Sequence, residues 1–303
     1  MQIALRWTLT LAALLMLGPA AGGLVSLLNS PEGLDTVTLL HNSAPLMGVL
    51  VLLAIGVLAL VPAGVVAVVF GIRPALTTAG LVLAWAAWMM GRGDWLIRAQ
   101  PTGGTLTMLA VEGALVGVVL LGLLLVLDRL TKRAGRTDPA LKPFVFKDVA
   151  RPPAMLAAGA AAVAAGLAAW LVAQHAMRGQ AIFAAFCGGI AAGVAGRLVA
   201  STLAGNNTDA QDHAASPWPD YLGVVLIMIL GPLVGLVMPG AANLGVAAVD
   251  GTLPGLLHVL PLDWAVGAVF GVPLGHAWVG SAAGAPQPGT SAGQRRGGRA
   301  SNA

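Results

Sequence analysis

The stretch Asp128–Arg151, DRLTKRAGRTDPALKPFVFKDVAR, decides how the chain is read, because it is the one long polar run in an otherwise apolar sequence. It holds seven of the sixteen Lys and Arg residues, including every lysine. Long apolar segments flank it on both sides. Such a run reads as a cytoplasmic loop that sets orientation in a membrane. It divides the chain into a first half, 1–127, the loop itself, 128–151, and a second half, 152–283. The remaining 284–303 is a Gly-, Ser-, Pro- and Arg-rich tail with the composition of a disordered cytoplasmic segment.

The composition supports a lipid solvent. Hydrophobic residues make up 57% and charged residues 9%, against about 25% charged in an ordinary soluble domain. The mean hydropathy is +0.86. A soluble chain this apolar has too little polar surface to cover its core. The net charge of +4 sits mostly in the loop and the tail, so membrane orientation and anionic lipid headgroups explain it better than nucleic acid does. The single cysteine, Cys187, excludes an internal disulfide and a cysteine-based metal cluster.

Working outward from the loop, a spanning helix needs about 20 mostly apolar residues. Eight runs approach that length: 4–28, 46–70, 75–90, 105–127, 152–173, 181–204, 220–237 and 263–283. The first also has features of a secretory signal peptide, a basic start followed by an apolar stretch and small residues. If it is cleaved, seven spans remain and the topology of the rest is unchanged. Residues 91–104, with Trp95-Leu96-Ile97 between Arg92 and Arg98, read as an interfacial piece. Residues 238–262 are Gly- and Pro-rich and read as a re-entrant or surface segment. With the loop inside, the inner segments carry twelve Lys and Arg residues and the outer segments three. Tryptophans cluster near both ends of the runs, as in an aromatic belt. The expectation is an all-α polytopic bundle with both termini cytoplasmic, in a bacterial inner membrane.

Few residues in the spans carry chemistry. Glu112 lies in the fourth run, about 10 Å below the outer surface at 1.5 Å per residue. A carboxylate there costs roughly 2.5–3.5 kcal/mol on insertion scales. It reads as a proton- or cation-linked site, or else as a protonated acid bonded to a neighbouring helix. Gly113 and Gly117 beside it form a small-xxx-small pair for close helix packing. Arg197, in the sixth run, lies about 24 Å down its own span. That depth argues against a direct Glu112 pair and for snorkelling to the inner interface, with an anionic substrate path as the other reading. Gly267, Gly271 and Gly275 repeat every four residues in the last run, a packing face with His276 at its inner end. Lys132, Arg133 and Arg136 are placed to touch anionic headgroups.

No cofactor or metal site is expected, because no two histidines share a span at ligand spacing. No lysine lies in a span, which excludes a retinal Schiff base. P-loop and His-Glu-x-x-His patterns are absent, and so is any catalytic set. The reading that follows is a small transporter or permease with a membrane carboxylate. The alternative is a structural or assembly subunit whose glycine face docks a membrane partner or a second copy of the chain.

Overall fold

The computed structural model describes residues 2–29, 37–136, 151–175, 177–204, 216–237 and 243–283. Among them every regular element is a helix. Seven stretches are long and apolar enough to cross a membrane: Ile3–Val25, Pro45–Phe70, Ile72–Ala99, Gly103–Arg133, Pro152–Val172, Arg178–Ala204 and Trp218–Val237.

Helix α1 runs from Gln2–Ala12 through a five-residue π turn, Ala13–Leu17, into Gly18–Val25. The π turn has a local cause. Proline at position 19 has no N–H, and its ring presses on the carbonyl four residues back. Widening the preceding turn relieves that pressure, and the Gly18 N–H bonds to the Ala13 carbonyl, five residues back. Helix α2 (Pro45–Phe70) starts with proline at its first turn and stops at Gly71. There φ is +93°, a value that favours glycine. Helices α3 (Ile72–Met89) and α4 (Gly93–Ala99) follow. Helix α5 (Gly103–Arg133) is capped by the Thr102 hydroxyl, which accepts from the Thr105 N–H at 3.2 Å. Its last turn carries Lys132 and Arg133, where cations favour the helix dipole. The polar run quoted at the outset therefore begins as helix. Its remainder, 137–150, lies outside the described residues, as does the tail 284–303.

The second half contains α6 (Pro152–Val172), α7 (Arg178–Ala204), α8 (Trp218–Val237), a short α9 (Leu244–Asp250), a 3₁₀ turn at Gly255–His258 and α10 (Pro261–Ala283). Within the expected surface segment 238–262, residues 243–262 thus hold two short helical pieces, and 238–242 lie outside the described residues. Helix α10 is not among the seven apolar stretches, although eight runs were expected. The reason is its position. Residues 261–269 are all buried, so protein surrounds the first part of this helix and it tolerates Asp263, whereas Leu274 and Trp278 further along are exposed. Helix α2 is the opposite case. Its face at Leu50, Leu53, Val57, Val61 and Val65 is exposed and entirely apolar, which suits a helix facing acyl chains.

The helix pairing has a regular pattern. α3 packs on α10 and α5 packs on α8. The short α4 packs on the short α9, and α2–α5 matches α7–α10. α1–α3 matches α6–α8, and α2–α3 matches α7–α8. Exchanging α1, α2, α3, α4, α5 for α6, α7, α8, α9, α10 maps these contacts onto one another. The main spanning contacts across the exchange are made by α3, α5, α8 and α10, with the short α4 and α9 meeting beside them.

Candidate functional site

Glu112 is 1% exposed. Residues 37–44, between α1 and α2, fold inward and lie over it. The turn is locally determined: Asn42 donates from Nδ2 to the Leu39 carbonyl at 2.6 Å and accepts the Ala44 N–H at 2.7 Å, while the His41 N–H donates to the Thr38 hydroxyl at 3.1 Å. The Gly91 N–H anchors the start of this segment on the Val37 carbonyl at 2.9 Å. On the other side it presses on Gly48 of α2, where a Cβ would stand 1.4 Å from the Leu39 oxygen. Thr38, Leu39, Leu40 and Asn42 are all buried as a result. The Leu40 N–H donates to Glu112 Oε2 at 3.0 Å. Glu112 Oε1 has no hydrogen-bond partner.

A second buried acid stands nearby. Asp263 is at the start of α10, a helix that packs against α5. Asp263 is fully buried and is held by Arg178 in a fork, Nη1 to Oδ2 at 3.0 Å and Nη2 to Oδ1 at 2.5 Å. It also accepts the Leu260 N–H at 2.9 Å. Arg178 reaches on to the Ala87 carbonyl at the end of α3. At the same end, Asp94 of α4 pairs with Arg92, which also covers the Trp95 ring at 4.9 Å. Burial holds the neighbouring His258, which lies outside the spans, below the ordinary imidazole value of 6.5.

A third group lies at the opposite end of the same helices. His276 on α10 contacts Asp220 on α8 through Nε2, and both are at most 3% exposed. The half-buried Arg197 on α7 donates from Nη1 to the His276 carbonyl at 3.3 Å and stands 3.3 Å from His276 Nδ1. Gly196 makes room for the acid, since a Cβ there would sit 1.8 Å from Asp220 Oδ1. Tyr221, next in the chain, is buried with its hydroxyl unpartnered. Arg197 is thus bonded within the protein, far from Glu112.

The glycines expected to pack helices do so inside the chain. A Cβ at Gly267 would stand 2.1 Å from the Ala185 oxygen, at Gly271 2.6 Å from the Phe186 oxygen, and at Gly275 2.3 Å from the Ile190 oxygen, all on α7. Gly189 returns the contact, at 2.1 Å from the Gly267 oxygen. Gly113 and Gly117 lie against Met228 and Val225 of α8. Lys132 pairs with Asp128 one turn back, and Arg133 and Arg136 lie at the end of α5.

Sequence reasoning singled out Glu112 and Arg197 but passed over Asp220, Asp263 and Arg178, which stand at the edges of their runs. A carboxylate one or two residues from a run's end looks like an interfacial residue. The available signal was that Asp220 and Asp263 each open a helix with no other Asp, Glu, Lys or Arg. Among the described residues no group of three or more His, Cys, Asp or Glu is arranged to hold a metal ion. No family model matches the chain, and neither a curated protein nor a solved structure matches it.

Proposed function

We propose that the protein is a small transporter or permease of a bacterial inner membrane, in which Glu112 carries the coupling proton. In this reading α10 is the eighth span, both termini are cytoplasmic and no cofactor is used. The observation that carries it is where the buried acids lie. Glu112 is on α5, Asp220 on α8 and Asp263 on α10, three of the four spanning helices that make the main contacts across the exchange of halves, and the remaining buried acid among the described residues, Asp94, is on the short α4, which packs on α9. The outer helices α2 and α6 carry no charged residue at all. Transporters built from parallel repeats place their substrate and ion sites at that meeting surface, near the bilayer midplane. Charged groups buried in spans are costly and mark proton or substrate paths. The segment over Glu112 is the outer gate in this reading, because it reaches the acid through polar groups such as the Leu40 N–H and is not helical.

The test uses the full chain in vesicles of phosphatidylethanolamine and phosphatidylglycerol loaded with a pH-sensitive dye. Inorganic cations, organic cations and neutral metabolites are added outside, one class at a time. One class is expected to change the internal pH, and Glu112→Gln to abolish the change while extracting from the membrane like the wild type. Wild-type behaviour of Glu112→Gln would remove Glu112 from the mechanism, and no proton movement with any class would count against transport.

A further inference from the structure

The Arg197–His276–Asp220 cluster fixes the state of the imidazole. A guanidinium has donors and no acceptor. For the 3.3 Å contact of Arg197 Nη1 with His276 Nδ1 to be a hydrogen bond, Nδ1 has to present its lone pair, which puts the ring proton on Nε2, the nitrogen in contact with Asp220. The three side chains are enclosed by α7, α8 and α10.

A proton arriving at Nδ1 competes with Arg197 for the same lone pair. We propose that His276 Nδ1 is an inner-side proton-binding site, at which a bound proton displaces the Arg197 guanidinium while Asp220 keeps hold of Nε2–H. The step balances simply. A proton from water adds to the Nδ1 lone pair, the Arg197 contact breaks, and Arg197 leaves with its own protons. The imidazolium then has Asp220 as its counter-ion. Arg197 is half-buried and seven residues from the end of α7, about 10 Å along the axis, so its head has the inner interface within reach of a snorkelling side chain. Release of the proton reverses the exchange.

The surroundings suit this role. Asp220 is acted on by His276 and Arg197, and Asp220 in turn acts on Tyr221. α6 presents only backbone here, the Ala157 oxygen beside Gly196. The remaining charged groups at this end of helices packed on α10 are Arg73 of α3 and the Asp128, Arg129, Lys132 and Arg133 group of α5, in which Lys132 is already paired with Asp128. The functional role of the site rests on the proton-linked reading above, whereas its chemistry stands on the geometry alone.

The full chain, labelled with ¹⁵N at histidine and arginine and held in bilayers, tests it by solid-state magnetic resonance, with His276 assigned by its loss in His276→Gln. At about pH 8 the ring is expected to be neutral with the proton on Nε2. On acidification the imidazolium should appear as the Arg197–His276 dipolar coupling disappears, a measurement on the wild type in which His276→Gln serves only for assignment. Arg197→Met should raise the imidazolium fraction at about pH 6 roughly threefold, and Arg197→Lys should restore it. A proton on Nδ1 at the start, an Arg197 coupling that survives protonation, or no titration down to about pH 5 would each overturn the site. Glu112→Gln should leave this titration intact. A failed vesicle assay with a normal His276 titration would therefore remove the transporter reading and not the site, and the reverse result would remove only the site.

Discussion

At the scale of the residue, Glu112 is held by a partner that no side-chain pattern announces. Its acceptor bond comes from the Leu40 backbone N–H, a donor that every residue but proline supplies. The carboxylate itself was legible, because one acid in an apolar run stands out. The inward fold of residues 37–44 was not legible. Thr38, His41, Asn42 and Ser43 read as an ordinary polar loop, yet the side chains of Thr38 and Asn42 close the turn on itself and let Leu39 and Leu40 go inward. A stability comparison separates the parts of this contact. Glu112→Gln keeps an acceptor for the Leu40 N–H, whereas Glu112→Leu leaves that donor buried and unpaired, which costs about 1–3 kcal/mol. Thermal unfolding in detergent should therefore place Glu112→Leu clearly below Glu112→Gln. Equal midpoints would mean that the bond contributes nothing.

At the scale of the element, the α7–α10 pair shows how far a glycine pattern can be read. The four-residue repeat at Gly267, Gly271 and Gly275 was visible and implied close packing, but a repeat does not name its partner. The structure turns this face to Gly189 and Gly193 of α7, within the chain. The two helices are joined along their length. Arg178–Asp263 closes one end, Arg197–His276 the other, and the glycines let the backbones approach between them. Gly189→Val would drive its Cβ into the Gly267 carbonyl, and backbone cannot move aside as a flexible side chain does. A loss of at least about 1–3 kcal/mol is expected. Gly159 on α6 is the control: nothing lies within 4 Å of a Cβ there, so Gly159→Ala should be neutral or stabilising by up to about 1 kcal/mol. The two variants compared by unfolding midpoint decide whether the seam matters or helical glycines are generally expendable here.

At the scale of the whole molecule, charge and hydropathy made the class of protein readable, while the order of helices in space was beyond them. Apolar runs identify spans because lipid demands them. The helix that departs most from that rule, α10, does so because its neighbours replace lipid around its first part. Its two titratable groups were for the same reason only half legible: His276 was noted at the end of the glycine face, and Asp263 looked interfacial. The proposed orientation has its own test. Green fluorescent protein fused after Ala303 should fluoresce, and alkaline phosphatase fused at the same point should be inactive. The opposite pair of results would invert the topology.

The clamps at the two ends of α7 also bear on how the chain is made. Arg178 and Arg197 are synthesised well before their partners on α10. Roughly 80 residues separate the end of α7 from the end of α10, which corresponds to about 4–16 s of translation. During that interval α7 sits in the insertion machinery with two arginines whose final counterparts do not yet exist. Asp220 likewise waits for His276. At that stage the Arg178–Asp263 and Asp220–His276 pairs are missing and the glycine seam of α7 has no α10 against it, while Arg92–Asp94 and Lys132–Asp128 have both partners present. A ribosome stalled before residue 261 would leave that stage permanent, and membrane quality control has there a clear feature by which to recognise an unfinished chain.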